Sequence, residues 1–130
     1  MAIKTRTFTD IDLSFEPHPN TGDLMVKTDD NAIKNAVKNL ILTKHYERAF
    51  HSEIGSSVMG MMFELITPGL IAVINQEIRD VITNFEPRVR VIDVRTVFNP
   101  DESSADITII FNIVNTTSPL TVNVALKRVR

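Results

Sequence analysis

A chain of 130 residues that is 43% hydrophobic and 23% charged has ordinary globular composition. Its formal charge of −2 offers no general attraction to nucleic acid, and the absence of cysteine excludes disulfides, thiolate metal sites and cysteine nucleophiles. No run approaches the roughly 20 apolar residues that cross a bilayer, and the opening MAIKTRTFTDIDLSF holds no secretory segment. The sequence therefore reads as a single soluble domain over 1–130, made in the cytoplasm, with no membrane or nucleic-acid partner.

Residues 1–28 contain FEPHPNTGD, whose prolines, asparagine and glycine favour extended chain and turns. An irregular arm with a short strand near DLMV is expected there. From residue 29 the period changes. Ile33, Ala36, Val37, Leu40 and Ile41 recur at helical spacing, with Lys34, Asn35, Lys38 and Asn39 on the other face. Thr28 or Asp29 is the expected cap.

A polar connector, KHYERAFHSEIGS, leads to SVMGMMFEL, which can form two turns of helix around Val58, Met61, Met62 and Leu65. Gly60 weakens that helix. The MGMM cluster fits core filling better than a binding surface. Thr67 and Pro68 then open a second long helix that Pro87 closes. Its apolar stripe is Ile71, Ile74, Ile78, Val81, Ile82 and Phe85. These segments make 29–86 the helical part.

Beyond Pro87 the period falls to two over 88–130. VRVIDVRTVF, ADITIIFNIV and LTVNVALKRV read as three strands joined by short turns, an antiparallel meander. Ala105, Ile107, Ile109, Phe111 and Ile113 share one face of the second strand, and Leu120, Val122, Val124 and Leu126 one face of the third. In the first strand Val89 and Val91 are out of phase with Ile92 and Val94, which predicts a bulge or apolar cover on both faces. The fold class is α+β: two amphipathic helices packed on one face of a three-stranded antiparallel meander, with an irregular amino-terminal arm.

Such a meander has two edges, and an unpaired edge accepts a strand from another chain unless something blocks it. The third strand has only Lys127, Arg128 and Arg130 near its end as protection. Two readings stay open: the amino-terminal arm covers that edge, or another protein completes the sheet.

Chemistry is sparse. His18, His45 and His51 lack metal-ligand spacing, the four glycines form no phosphate loop, and no serine lies in a nucleophile elbow. No metal or cofactor is implied. Glu53, Glu64, Glu77 and Glu86 are the candidate carboxylates for the alternative function, a lysozyme-like peptidoglycan glycosidase. With no tryptophan and one tyrosine, the chain has little from which to build a sugar platform, and surface carboxylates explain them better.

Glu86-Pro87-Arg88 stands where the second helix meets the first strand. Proline alone ends the helix, and Glu86 at the negative end of the helix dipole is mildly unfavourable. Arg88 either pairs with Glu86 locally or presents its planar fork to a partner carboxylate.

That triplet, together with AIKNAVKNLILTKHYERAFHSEIGS and the opening FTDIDLSFEPHPNTGDL, resembles the baseplate wedge subunits of contractile phage tails. Their relatives include a type VI secretion baseplate component and a family sometimes labelled lysozyme-like. The resemblance covers nearly the whole chain. It implies a non-enzymatic structural protein of the virion tail baseplate, assembled in the host cytoplasm, that docks on the wedge core bundle and initiates the sheath. Glu86, Pro87 and Arg88 would be the wedge-docking residues. Glu47, Arg48 and Phe50 match the family pattern as a secondary contact, as do Glu53 and Gly55 as scaffold. Val122, Val124, Leu126, Lys127 and Arg128 would form the sheath-facing strand. Partners so implied are other wedge proteins and the sheath protein, with tube-side hub proteins as a further candidate. Relatives often place glycine before the Glu-Arg pair, where this chain has Tyr46. The resemblance tips the two readings of the sheet edge toward strand addition.

Overall fold

The computed structural model describes residues 9–11, 14–24, 26–28, 30–114 and 116–128. In chain order the elements are β1 (Thr9–Ile11), β2 (Val26–Thr28), α1 (Asp30–Leu42), α2 (Val58–Met61), α3 (Pro68–Phe85), β3 (Val89–Asn99), β4 (Ser104–Ile113) and β5 (Pro119–Lys127). This is the expected α+β arrangement.

Each long helix forms where an apolar stripe meets good terminal residues. In α3, Thr67 is extended and its hydroxyl accepts the Leu70 N–H at 3.1 Å, while Pro68 occupies the first turn where no N–H is needed. Ile74, Ile78, Val81 and Ile82 are buried, whereas Ile71 and Phe85 at the ends of the stripe are half-buried. On α1, Ile33, Val37 and Ile41 are buried. Ala36 and Leu40 are half-buried on a second flank, and Asn35, expected on the polar face, is 9% exposed. The caps expected at Thr28 or Asp29 lie outside the described residues and side chains. The short helix α2 is one turn rather than two. Met62 is buried and Met59 and Met61 pack against the core, as the core reading of the cluster requires.

The sheet order is β3-β4-β5, antiparallel throughout. Ala105, Ile107, Ile109, Phe111 and Ile113 alternate inward on β4, and Val122, Val124 and Leu126 on β5. The phase slip in β3 is a bulge. Val91 pairs with Phe111 and Asp93 with Ile110, so Ile92 has no opposite residue and is 47% exposed. The extra residue resets the alternation, which lets Val89 before it and Val94 after it both enter the core.

The arm is more regular than expected. Its strand lies at Val26–Thr28, slightly beyond DLMV, and pairs with β1 through Asp10↔Lys27. This hairpin packs chiefly against α1 and forms a sheet of its own, separate from β3-β4-β5. Among the described residues, nothing from the arm closes β5.

Candidate functional site: a groove and an open sheet edge

The Glu86-Pro87-Arg88 corner is a tight turn. Glu86 N–H closes the last turn of α3 on the Ile82 carbonyl, and Val89 N–H bonds the Glu86 carbonyl at 3.2 Å. Across the turn, Val114 N–H donates to the Arg88 carbonyl at 2.9 Å, so the corner is held by the end of β4. Glu86 is 7% exposed. Arg88 grips it with two charge-assisted bonds, Nε to Oε1 at 2.6 Å and Nη2 to Oε2 at 2.9 Å. The guanidinium thus offsets the unfavourable helix end, and it remains one-third exposed. Local pairing is therefore observed, in a more buried form than a surface ion pair.

Beside this corner lies a groove of about 490 Å³. It is lined by the half-buried Ala36, Leu40, Ile54 and Phe85, by the charged Arg48, Glu86 and Arg88, and by Ile11 and Phe15 of the arm. The fold thereby joins Arg48 of the connector to the Glu86–Arg88 corner, although they are distant in sequence. Arg48 is exposed and has no ion-pair partner among the described residues.

The connector that carries Arg48 is tied down at its base. Ser56 Oγ donates to the Ile41 carbonyl at 2.6 Å, Ser56 N–H to the Thr43 carbonyl, and the Glu47 carboxylate accepts the Lys44 N–H at 2.8 Å. Gly55 makes this closure possible. It has φ +146°, and a Cβ there would sit 2.7 Å from the Lys44 carbonyl carbon and oxygen. At the tip, Tyr46 and Phe50 both have φ +67°, a conformation that favours glycine. This explains why a glycine suits the position that Tyr46 occupies here. Tyr46 is 86% exposed and Phe50 fully exposed.

The two sheet edges differ. Arg128 N–H donates to the Ser103 carbonyl, which fixes the alternation of the antiparallel β4–β5 ladder. Val122, Val124 and Leu126 then turn their main-chain groups to β4, and Thr121, Asn123, Ala125 and Lys127 turn theirs outward. The same reasoning from Val114 N–H to the Arg88 carbonyl places Val89, Val91 and, beyond the bulge, Val94 on the outer edge of β3. The part of that edge from Val89 to Val94 is obstructed. Val89 N–H is taken by the turn, Val94 N–H by the Asp93 carboxylate at 2.9 Å, and the Ile92 carbonyl is approached by Arg79 at 3.5 Å. Arg79 also lies 3.5 Å from Asp93. A bulge, a carboxylate on a main-chain donor and a covering arginine blunt an edge; β5 has none of these, and its own protection is confined to its ends, at Pro119 and the exposed Lys127. Val122, Val124 and Leu126, expected as contact residues, have their side chains in the core. The outward groups belong to their odd-numbered neighbours. Lys127 is exposed, and Arg128 lies over the Phe63 ring, 5.4 Å from its centroid.

Three of the four candidate carboxylates have local partners. Glu77 accepts the Ser57 N–H at 3.1 Å, Glu86 is held by Arg88, and Glu64 is exposed after α2. Glu53 is exposed. Its own backbone N–H, and secondarily His51, hold its carboxyl below its ordinary value, the wrong direction for a general acid. Among the described residues no His, Asp and Glu group is placed to hold a metal, and no helix is long and apolar enough to cross a membrane.

This fold is shared with chains of contractile-particle baseplates. A chain of the anti-feeding prophage baseplate superposes with TM-score 0.73 at 24% identity, over 84% of this chain and 87% of that one. The pyocin R2 post-contraction baseplate gives 0.62 at 19%, over 82% and 98%. A Geobacter sulfurreducens protein described as a putative tail lysozyme gives 0.67 at 18%, over 75% and 89%. The family model described as Baseplate wedge protein gp25 matches residues 27–118, well over half the chain. The chain belongs to that family. It is 28% identical over 89 residues to baseplate wedge protein gp25 of Enterobacteria phage T4, spanning 68% of this chain and 67% of that protein. The resemblance inferred from the Glu-Pro-Arg corner and the connector is thus borne out.

Proposed function

We propose that this chain is a non-enzymatic structural subunit of a contractile tail baseplate, assembled in the host cytoplasm, acting as one unit over 1–130. It docks on other wedge proteins through the groove between Arg48 and the Glu86-Pro87-Arg88 corner. It offers the outer edge of β5 to a strand of the sheath protein, and tube-side hub proteins remain candidate neighbours. The observation that supports the templating role is the contrast between edges: the first half of β3 is obstructed by its bulge, by Asp93 and by Arg79 of α3, whereas Thr121, Asn123, Ala125 and Lys127 of β5 turn their main-chain groups outward with no partner among the described residues. Family membership supports the baseplate setting.

The two roles separate experimentally. Arg48→Glu alters an exposed, unpaired groove residue, so the variant folds but fails to enter wedges; normal incorporation removes the docking role. Ala125→Pro deletes an outward donor and spares the β4 ladder, whereas Val124→Pro breaks the ladder itself. Baseplates built with Ala125→Pro should be complete yet carry no sheath. Sheaths of normal length on such baseplates overturn the templating role.

A further inference from the structure

Along the β5 edge runs a second hollow of about 460 Å³, between Thr121, Val122 and Asn123 of the strand and Asn31, Lys34, Asn35 and Lys38 of α1. Neither lysine has an acidic partner among the described residues. Asn35 is nine-tenths buried in the wall of this hollow, and its Nδ2 has no hydrogen-bond partner. Such an orphan is costly in a closed core but is offset when a neighbour supplies an acceptor. A strand laid beside β5 turns every second side chain toward α1, into this hollow.

Resting on the strand-addition reading, we propose that the strand received at β5 carries acidic side chains on the face it turns toward α1, where Lys34 and Lys38 hold them. The spacing agrees. Residues four apart on a helix are separated by about 6 Å along its axis, and alternate residues of a strand by about 6.6–6.8 Å. Two carboxylates at alternate positions therefore fit two lysines one helical turn apart. Main-chain bonds supply adhesion without a side-chain code, so the lysines give the edge a preference among otherwise similar strands and disfavour basic ones.

The test uses the full chain and two synthetic valine-rich peptides of about eight residues, a common strand length. One has glutamate at two alternate positions and the other glutamine. Binding is read by NMR at the amides of Thr121, Asn123, Ala125 and Lys127. The glutamate peptide should bind about three- to tenfold tighter at low ionic strength, the size expected of two partly exposed pairs, and lose that advantage as salt rises. The Lys34→Glu/Lys38→Glu chain should reverse the preference, and Lys34→Gln/Lys38→Gln, with native circular dichroism, should abolish it. Equal binding of both peptides at the β5 amides leaves strand addition standing and overturns the acidic preference. Perturbation of those amides by neither peptide overturns strand addition itself, and the preference with it.

Discussion

Removing Arg88 should destabilise the fold, because it strands a buried carboxylate. Glu86 is 7% exposed and accepts two bonds from the guanidinium, at 2.6 and 2.9 Å. Breaking a fully buried pair from one side costs about 3–5 kcal/mol. Arg88 is one-third exposed, so water replaces part of what it supplies, and Arg88→Ala should cost about 1.5–3 kcal/mol. Glu86→Ala should cost less, about 0.5–1.5 kcal/mol, since it also removes a negative charge from the carboxyl end of α3. The double variant should fall short of the sum by about 1–2 kcal/mol. Urea unfolding of the four proteins measures this directly, with thermal shifts of about 3–6 °C per kcal/mol expected at this chain length. Additive effects, or an Arg88→Ala loss below about 0.5 kcal/mol, would refute the view that the corner is held by its own ion pair. It follows that alanine variants of Glu86 or Arg88 would confound the proposed docking with a loss of stability, and Arg48→Glu is the cleaner probe of the groove.

Gly55→Ala should lose about 2 kcal/mol or more in denaturant titration, because its new methyl meets the Lys44 main chain at 2.7 Å and φ is +146°. Tyr46→Gly should be neutral or up to about 1 kcal/mol stabilising, as relief of the left-handed strain outweighs the entropy of glycine. A clear loss of melting temperature would contradict that. The Glu53 carboxyl should titrate below its ordinary value by NMR. Because its folded value is depressed, its small contribution is complete above the unfolded value and fades as pH falls through the folded one. Glu53→Gln should therefore narrow the stability gap between neutral and acid solution very slightly.

Much of this was legible because it is periodic. The stripes Ile33-Val37-Ile41 and Ile74-Ile78-Ile82 fixed two helices, and a single slipped residue in VRVID announced the bulge at Ile92. What periodicity missed depends on neighbours distant in sequence. Asn35 belongs to the polar face by spacing, yet the approach of β5 buries it. The resemblance assigns Val122, Val124 and Leu126 to the sheath-facing strand, while their alternation puts their side chains on the apolar face, and it is the alternation that describes where those side chains lie. Nothing local says that Arg48 will stand beside Glu86, or that Asp93 will fold its carboxylate over the next amide. Tyr46 and Phe50 carry left-handed backbones at residue types that do not announce them.

The stoppered flank at Ile92 and Asp93 bears on how such a protein survives at high concentration before assembly. A sheet sticky on both flanks could stack copy upon copy into a fibre. With the first half of β3 obstructed, the pairing of like copies left open is head to head through β5, an arrangement that would close as a pair and grow no further. On the strand-addition proposal, Lys34 and Lys38 would face their counterparts in such a pair and disfavour it, leaving the edge to a foreign strand.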